Sequence, residues 1–377
     1  MRVAFGTTVL QRGLASESLD GIGNYTRELL KQLGQMRGLE LKPFAFSGNR
    51  FSSSGHPILN LGPFKSQAIL SAASGLSFPF ADRSVAGEVD LVHATDHLIP
   101  SLGNVPVVAT LMDAIPLAHP EWVPSSFRKI KNSLWRRSVH WARWVVTISA
   151  HARQELVKWF KLREDRISVI PLGVDRRWFV VPSNVDIERV NRHYGLPRCF
   201  FLFVGTLQPR KNILGLIAAH RMLPRAMRND FPLLVIGRPG RGGLQTVRAL
   251  AGNEDQTLRW LQYVPDTDLV PLVRRASAMV FPSFYEGFGL PILEAFAAGV
   301  PVVASNLSAL PEVAGDAAWL VDPTRADALA EAMQSVVLEA ATADELRRRG
   351  RARALQFTWE KTAAETAKVY HQVLASC

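Results

Sequence analysis

Two glutamates bracket a glycine-rich turn in the C-terminal third of the chain, in the segment Tyr285-Glu-Gly-Phe-Gly-Leu-Pro-Ile-Leu-Glu294. The pattern predicts a strand ending at Phe281, then a turn, and then a buried helix with Pro291 at its first position. The free amides of such a first turn attract a phosphate, and ionised carboxylates accept hydrogen bonds from hydroxyls. We therefore expect a site for a sugar phosphate in which Glu286 and Glu294 bind hydroxyls. The helix dipole alone would explain Glu294, but not the Gly-Phe-Gly turn.

A second candidate is the adjacent basic pair Arg210 and Lys211, in the turn Val204-Gly-Thr-Leu-Gln-Pro-Arg-Lys-Asn212 after another predicted strand. Arginine offers a planar fork of donors and lysine a compact charge, so the pair suits a diphosphate. The alternative is a basic pair that is merely solvated.

A third candidate is the turn Asp20-Gly-Ile-Gly-Asn-Tyr25, in which Gly21 and Gly23 precede a predicted helix. Such a turn suits a phosphate or close approach of a ligand. It lacks the third glycine of the dinucleotide fingerprint, so NAD binding is disfavoured, and a glycine turn can also be purely structural.

The pair Asp266 and Asp268 has the spacing of a carboxylate metal site, but aspartate also commonly caps a helix, here one beginning near Leu269. We favour the cap and predict no metal ion. His93 and His119 follow strands of the N-terminal half, where each either faces a ligand or has a structural role.

Short β-branched runs alternate with helical stretches in both halves of the chain, which predicts parallel sheets built from βαβ units. The predicted fold class is α/β, with two doubly wound, Rossmann-like domains facing each other across a cleft at the carboxyl ends of their strands. The predicted boundaries are an N-terminal domain over 1–175, a polar linker over 176–198, a C-terminal domain over 199–357 and a final helical segment over 358–377 that packs back on the N-terminal domain. A loop of low structural content is expected over 47–66.

The composition is that of an ordinary globular protein: of 377 residues, 47% are hydrophobic and 20% are charged. Two cysteines, Cys199 and Cys377, exclude a disulfide framework. The N-terminus lacks a signal-peptide pattern, and no apolar run reaches the length of a membrane span. We therefore expect a cytoplasmic protein.

The net charge of +11 indicates an anionic partner. Eleven Lys and Arg against three acids, interleaved with four tryptophans, lie between Ser125 and Arg166. That stretch suits peripheral contact with the anionic inner face of the cytoplasmic membrane. The alternative is a solvated basic helix whose tryptophans face the core. Nucleic acid is disfavoured because no nucleic-acid-binding motif is present.

The combination of motifs resembles the family 4 retaining glycosyltransferases of the GT-B fold, in particular mannosyl- and rhamnosyltransferases of bacterial surface polysaccharide synthesis. The resemblance is carried by Glu286 and Glu294 in E-x7-E, by the Arg210–Lys211 turn, by Val169-Ile-Pro-Leu-Gly-Val-Asp175 and by Asp20-Gly-Ile-Gly-Asn-Tyr25, and it extends to about Tyr370.

The resemblance implies that the C-terminal domain binds a nucleotide diphosphate sugar and the N-terminal domain an acceptor, without a metal or other cofactor. It implies that Glu286 binds hydroxyls of the transferred sugar, that Glu294 binds the ribose, and that Arg210 and Lys211 neutralise the diphosphate. The catalytic set also includes Asp113. The remaining substrate-binding positions implied by the resemblance are Gly21, Gly23, Thr206, Phe288, Gly289, Leu290 and Val264.

Two positions depart from the pattern of the family. Thr206 stands where many relatives have arginine, and Met112 stands where relatives have a histidine before Asp113. Arg210, beside Lys211, would compensate for Thr206. At Met112 the alternatives are that another group, such as His93 or His119, replaces the histidine, or that the enzyme is slower or differently selective.

The function expected is transfer of a hexosyl unit, with mannose from GDP-mannose as the specific expectation, to a lipid-linked or polysaccharide acceptor with retention of configuration. The alternatives are a catalytically impaired sugar-nucleotide-binding subunit of a complex and a sugar-nucleotide epimerase of the same fold.

Overall fold

A computed structural model describes residues 1–16, 19–46, 58–123, 127–252 and 256–376. It divides into two compact units. Unit 1 comprises Met1–Ala118, Ser125–Gly173 and Trp359–Cys377, and unit 2 comprises His119–Pro124 and Val174–Thr358. Each unit contains one parallel sheet with helices between its strands. The predicted α/β class with two Rossmann-like halves is confirmed.

Unit 1 is built on a seven-stranded parallel sheet with the strand order β3-β2-β1-β4-β5-β6-β7. The strands are β1 (Arg2–Gly6), β2 (Glu40–Ala45), β3 (Leu59–Asn60), β4 (Leu91–Ala94), β5 (Val107–Thr110), β6 (Trp144–Thr147) and β7 (Ile167–Val169). The helices are α1 (Thr8–Ala15), α2 (Gly21–Leu33), α3 (Phe64–Ser74), α4 (Pro79–Val85), α5 (Ile115–Ala118), α6 (Arg128–Ser138) and α7 (Ala150–Phe160), with 3-10 helices at Val139–Trp141 and Glu164–Arg166.

Unit 2 is built on a six-stranded parallel sheet with the strand order β10-β9-β8-β11-β12-β13. The strands are β8 (Phe201–Val204), β9 (Leu233–Ile236), β10 (Leu258–Leu261), β11 (Ala278–Phe281), β12 (Val302–Ser305) and β13 (Trp319–Val321). The α-helices are α8 (Asn184–Tyr194), α9 (Ile213–Met222), α10 (Arg225–Asp230), α11 (Leu244–Ala251), α12 (Asp266–Arg275), α13 (Leu290–Ala297), α14 (Leu310–Ala314), α15 (Ala326–Leu338) and α16 (Ala340–Ala354). Two 3-10 helices occupy Arg176–Phe179 and Pro209–Lys211.

The central strands of both sheets are buried along their whole length, as β4, β5, β9, β11 and β12 illustrate. Parallel sheets have helices on both faces, so their strands are continuous apolar runs rather than alternating ones. This burial leaves the loops at the carboxyl ends of the strands as the places where polar side chains can gather.

The last helix, α17 (Trp359–Ala375), belongs to unit 1 and packs against α2. The segment 176–198, expected to be a linker, belongs to unit 2 and contains the 3-10 helix Arg176–Phe179 and helix α8. Helix α8 packs against α12, where Arg189 and Tyr194 contact the Asp268 carboxylate at 2.8 and 3.0 Å. The linker assignment is therefore wrong for these residues.

Three other expectations concern local structure. Of the loop expected over 47–66, residues 47–57 lie outside the described part of the chain, and the rest includes β3 and the start of α3. Cys199 is a free thiol, and Cys377 lies outside the described residues. None of the described helices is both long enough and apolar enough to cross a bilayer.

Candidate functional site

The turn after β11 leads into α13 through Gly289, which has a φ of 108°. A Cβ atom at this position would lie 2.6 Å from Cδ2 of Leu310, and the positive φ disfavours any other residue. Helix α13 then begins at Leu290, one residue earlier than expected, so that Pro291 is its second residue rather than its first. Gly289 therefore fixes the direction in which the helix leaves the turn.

The Glu286 carboxylate lies between the two cations of the other candidate turn. Its Oε2 accepts a hydrogen bond from Arg210 at 2.7 Å, and its Oε1 accepts one from the Lys211 Nζ. The two turns are also joined through the backbone, since the Phe284 amide donates to the Arg210 carbonyl at 2.7 Å. Residues 75 and 76 positions apart in the sequence thus form one charged cluster in unit 2.

This cluster is buried: Lys211 and Glu286 are each only 7% exposed. Burial lowers the pKa of the Lys211 ammonium to about 8 against the raising effect of Glu286. Burial opposes ionisation of the Glu286 carboxyl, but Lys211 and Arg210 outweigh it and hold its pKa below the usual value. Since a buried charge is tolerated only when it is paired, each member of the cluster depends on the others.

Glu294 lies on α13 among groups from the former linker segment and from α12. Burial raises the pKa of its carboxyl to about 7, with Asp266 and Asp175 raising it further while Arg177 and a hydrogen bond from Trp178 lower it. Arg177 itself contacts Asp266 at 3.3 Å. Sequence patterns did not indicate Arg177 and Trp178 as neighbours of this glutamate, because these residues lie in the segment interpreted as a linker.

The other predicted positions of unit 2 are divided between exposed and buried sites. Thr206 is exposed just after β8, and Leu290 is half-buried at the first position of α13. Phe288 is buried and packs edge-on against Phe357, with ring centroids 5.9 Å apart. Val264 is buried between β10 and α12.

The expectation that Asp266 or Asp268 caps a helix at Leu269 is wrong. Helix α12 begins at Asp266, its N-cap residue is Pro265, and no side chain caps it. Asp268 accepts instead from Arg189 and Tyr194, which hold its pKa below the usual range against desolvation. Its role is to bind α8.

The unit 1 candidates lie at the carboxyl edge of the other sheet. Asp20 caps α2, and its Oδ1 accepts from the Gly23 amide at 2.8 Å, so that amide is already engaged. At Gly21 no atom of the described chain outside its neighbours lies within 4 Å of a Cβ position, so packing does not require glycine there. Asp113 is half-buried and accepts from the Ile115 amide at 3.0 Å, at the start of α5.

The two histidines have different roles. His93 is fully buried, and both of its ring nitrogens are engaged, by the Tyr370 hydroxyl at 2.6 Å and the Thr110 hydroxyl at 2.8 Å. It is a structural residue. His119 belongs to unit 2, where it stacks on Trp122 at 4.0 Å between ring centroids and meets the edge of Tyr285 at 5.2 Å. It therefore lies beside the residue that precedes Glu286.

Comparison with known proteins agrees with this arrangement of charged turns on two parallel sheets. The model of Glycosyltransferase Family 4 matches residues 19–178, and that of Glycosyl transferases group 1 matches residues 188–353. The chain is 33% identical to the O-antigen chain mannosyltransferase B of Escherichia coli, over 98% of this chain and 99% of that protein. The chain belongs to glycosyltransferase family 4.

Solved structures give the same fold. A sucrose-phosphate synthase from Thermosynechococcus elongatus matches with a TM-score of 0.76 at 22% identity, over 100% of both chains. WaaG, a glycosyltransferase involved in lipopolysaccharide biosynthesis, matches with a TM-score of 0.70 at 15% identity, over 98% of both chains. The architecture is therefore GT-B, and the protein is an enzyme, a glycosyltransferase.

One further carboxylate of this glycosyltransferase escaped the sequence interpretation. Asp96 lies two residues after the end of β4, is 6% exposed, and accepts a hydrogen bond from the Leu98 amide at 2.7 Å. Burial raises the pKa of its carboxyl, with Asp20 raising it and His97 and Arg12 lowering it. Its position just after a buried strand, in Thr95-Asp-His97, is the signal that could have identified it.

Proposed function

We propose that this enzyme transfers a mannosyl unit from GDP-mannose to a polysaccharide or lipid-linked acceptor with retention of configuration. The observation that carries the proposal is the buried cluster in which Glu286 is held by Arg210 and Lys211 beside the Gly289 turn. The choice of mannose is supported by the similarity to the O-antigen chain mannosyltransferase B of Escherichia coli.

In this proposal Arg210 and Lys211 neutralise the donor diphosphate. Without a donor, Glu286 balances one of their two positive charges, which keeps a buried lysine from remaining unpaired. When the diphosphate binds, its oxygens accept from the two cations, and Glu286 turns to accept hydrogen bonds from hydroxyls of the transferred sugar. Glu294 binds the ribose, and the first turn of α13, with Phe288, Gly289 and Leu290, faces the phosphate.

On the acceptor side, the sequence departs from the pattern of the family at Met112. Met112 cannot donate a hydrogen bond to a sugar hydroxyl or share charge in the transition state, so another group is needed. We assign that role to His119, because it lies against Tyr285, whereas both nitrogens of His93 are engaged. The departing diphosphate helps to deprotonate the acceptor hydroxyl, and no metal ion takes part.

The decisive experiment compares Glu286→Gln with the wild type, using GDP-mannose and an O-polysaccharide primer as substrates. The variant removes the charge but keeps the shape, so we expect turnover to fall by about 100-fold or more. The matched control is Glu331→Gln, an exposed glutamate of α15, which should keep full activity.

The same assay separates the alternatives. Conversion of the nucleotide sugar without any acceptor would indicate an epimerase. No turnover by the wild type with the GDP, UDP, ADP or dTDP sugars would indicate an impaired binding subunit. Both outcomes would overturn the proposal.

We also propose peripheral contact with anionic membrane through α6. Trp135, Trp141 and Trp159 pack against the core of unit 1, so these three tryptophans are not the anchors. The exposed apolar residues are instead Phe127, at 80% exposure, and Ile130, at 66%. Five basic residues share this helix: Arg128, Lys129, Lys131, Arg136 and Arg137.

Vesicle flotation tests this contact. The double variant Phe127→Ser, Ile130→Ser should lose binding to vesicles that contain phosphatidylglycerol. The double variant Ile69→Ser, Leu70→Ser, which changes comparably exposed residues of α3, should keep it. Equal binding to neutral and anionic vesicles would sink the idea.

A further inference from the structure

A second charged site lies at the amino edge of the unit 1 sheet, the edge opposite to Gly21, Asp96 and Asp113. It is an open cavity of about 100 Å³ beside the first residues of β6 and β7. Parallel strands all begin at one edge and end at the other, so this cavity is separate from the loops at the carboxyl ends. Neither the expected donor residues nor the expected acceptor residues line it.

The lining of this cavity is strongly cationic. Five of its ten residues can carry a positive charge, and none of the ten is acidic: His140, Arg143, Lys161, Arg163 and Arg166 line it together with Ala142, Trp144, Val145, Leu162 and Ile167. Like charges that converge on one space repel each other, so the arrangement is favourable only when an anion or water occupies it.

Four of these five groups, His140, Arg143, Lys161 and Arg166, form no ion pair with a carboxylate of the described residues. Arg163 forms an ion pair with Asp165, and Arg143 donates to the Ser376 carbonyl at the end of α17. Lys161 has no such contact with a described residue, and Arg166 has only the electrostatic attraction of Asp165, which Arg163 already engages in an ion pair. Lys161 and Arg166 therefore remain available to a ligand, whereas the hydrogen bond to the Ser376 carbonyl holds the Arg143 side chain in place.

A larger cavity of about 330 Å³ adjoins the first and shares His140, Ala142, Arg143 and Arg166 with it. Its other wall is the loop before β5, from Leu102 to Pro106, together with Trp141. A ligand with an anionic head at Arg166 can thus extend along the 102–106 loop and Trp141, where polar and apolar residues both line the cavity, which suits hydroxyls or short carbon chains.

We propose that this pair of cavities is a phosphate-binding site, in which Lys161 and Arg166 bind a phosphate monoester or diester and the larger cavity accommodates its alcohol portion. The smaller cavity holds several water volumes, which is enough room for a phosphate group. Arginine binds phosphate oxygens through two parallel donors, and lysine adds a point charge.

Two sources supply this chemistry: a phospholipid headgroup and a free phosphorylated small molecule. The basic helix α6 continues directly through the 3-10 helix Val139–Trp141, which carries His140, into the cavity wall. The site is independent of the donor and acceptor assignments, because none of its residues belongs to either set.

The test uses the full chain, which is titrated with inorganic phosphate and with glycerol phosphate while NMR follows the imidazole resonances of His140. The variant His140→Asn, which lacks these resonances, assigns them. Sodium chloride at matched ionic strength is the reference. The His140 signals should shift saturably, and calorimetry should show binding that weakens about 10-fold or more in the double variant Lys161→Asn, Arg166→Gln. Asparagine suits the left-handed backbone of Lys161, which has a φ of 58°.

The matched control is Lys31→Gln, Arg37→Gln, which removes two exposed charges from unit 1 away from the cavity. Flotation with vesicles of phosphatidylcholine, with and without phosphatidylglycerol, distinguishes the sources. If only the cavity variant loses vesicle binding, the ligand is a headgroup; if phosphate binding is lost and vesicle binding is kept, the ligand is a free phosphoryl compound. Unshifted His140 signals, or equal phosphate binding by both double variants, would overturn the proposal.

Discussion

Protonation of Glu294 is expected to have opposite effects on the stability of the fold and on the proposed binding of the donor. Its pKa is raised from the usual 4.5 to about 7, chiefly by burial. The folded enzyme therefore holds this proton more tightly than the unfolded chain does. The stability that the proton contributes is present below pH 4.5 and is lost as the pH rises towards 7. In the proposed function, by contrast, Glu294 accepts hydrogen bonds from the ribose hydroxyls, and the ionised carboxylate has more acceptor sites for them than the protonated form.

We therefore predict that donor affinity falls as the pH falls below about 7, whereas thermal stability rises over the same range. The measurements are KM for the donor and the melting temperature between pH 5.5 and 8. In Glu294→Gln both dependences should flatten, since the amide does not titrate. An unchanged pH profile of KM in that variant would contradict the assignment of Glu294 to the ribose.

The charged cluster around Glu286 marks what sequence could and could not predict at this scale. The residue types and their turns were evident, because each follows a predicted strand. Their direct pairing was not, since Glu286 was expected to bind only hydroxyls and the two cations only phosphate. Spacing along a chain says nothing about contacts between turns more than seventy residues apart.

At the scale of elements, a chain of buried hydrogen bonds joins α2, β5, β4 and α17. Tyr25 bonds to Thr110 at 2.9 Å, Thr110 to His93 at 2.8 Å, and His93 to Tyr370 at 2.6 Å. Burial lowers the pKa of His93 to about 3, so the ring is neutral in the folded protein. These hydrogen bonds connect α2, the helix that begins at Gly21, with the last helix, α17.

We predict that Tyr370→Phe destabilises unit 1 by about 1–3 kcal/mol, because it leaves a buried ring nitrogen without a partner. Urea unfolding followed by tryptophan fluorescence measures the loss. Tyr263→Phe, at an exposed tyrosine of unit 2, should change little. A Tyr370→Phe variant as stable as the wild type would show that water replaces the lost hydroxyl.

Elements were predictable where their sequence was strongly apolar and not where it was polar or short. β5, β8 and β11 are continuous runs of apolar or β-branched residues of the kind that predicts a buried strand, whereas β2, Glu40–Ala45, contains a lysine and a proline. β13 has only three residues. Helix α8 escaped for a different reason: its contacts through Arg189 and Tyr194 to Asp268 are tertiary, and its sequence alone has few apolar residues.

At the scale of the whole molecule, the chain leaves unit 1 briefly at His119–Pro124 and again after Gly173, and the second excursion ends at Trp359. The returning helix α17 contributes buried side chains to that unit: Trp359 is 5% exposed, and Tyr370 and Val373 are fully buried. Burial of one large apolar side chain stabilises a protein by about 1.5–3 kcal/mol. The loss of several such contributions is large compared with the net stability of about 5–15 kcal/mol that is typical of a domain.

We predict that a chain ending at Thr358 loses the folded state of unit 1 while unit 2 keeps the proposed donor residues in place, because Arg210, Lys211, Glu286 and Glu294 all belong to unit 2. Limited proteolysis should cut the truncated chain within 1–173 and spare 174–358. GDP should still raise the melting temperature of the surviving transition, since a ligand that binds only folded protein stabilises it. Substituting Lys368→Gln and His371→Gln on the exposed face of α17 should leave proteolysis unchanged. Protection of both units in the truncated chain would mean that α17 covers unit 1 without holding it together.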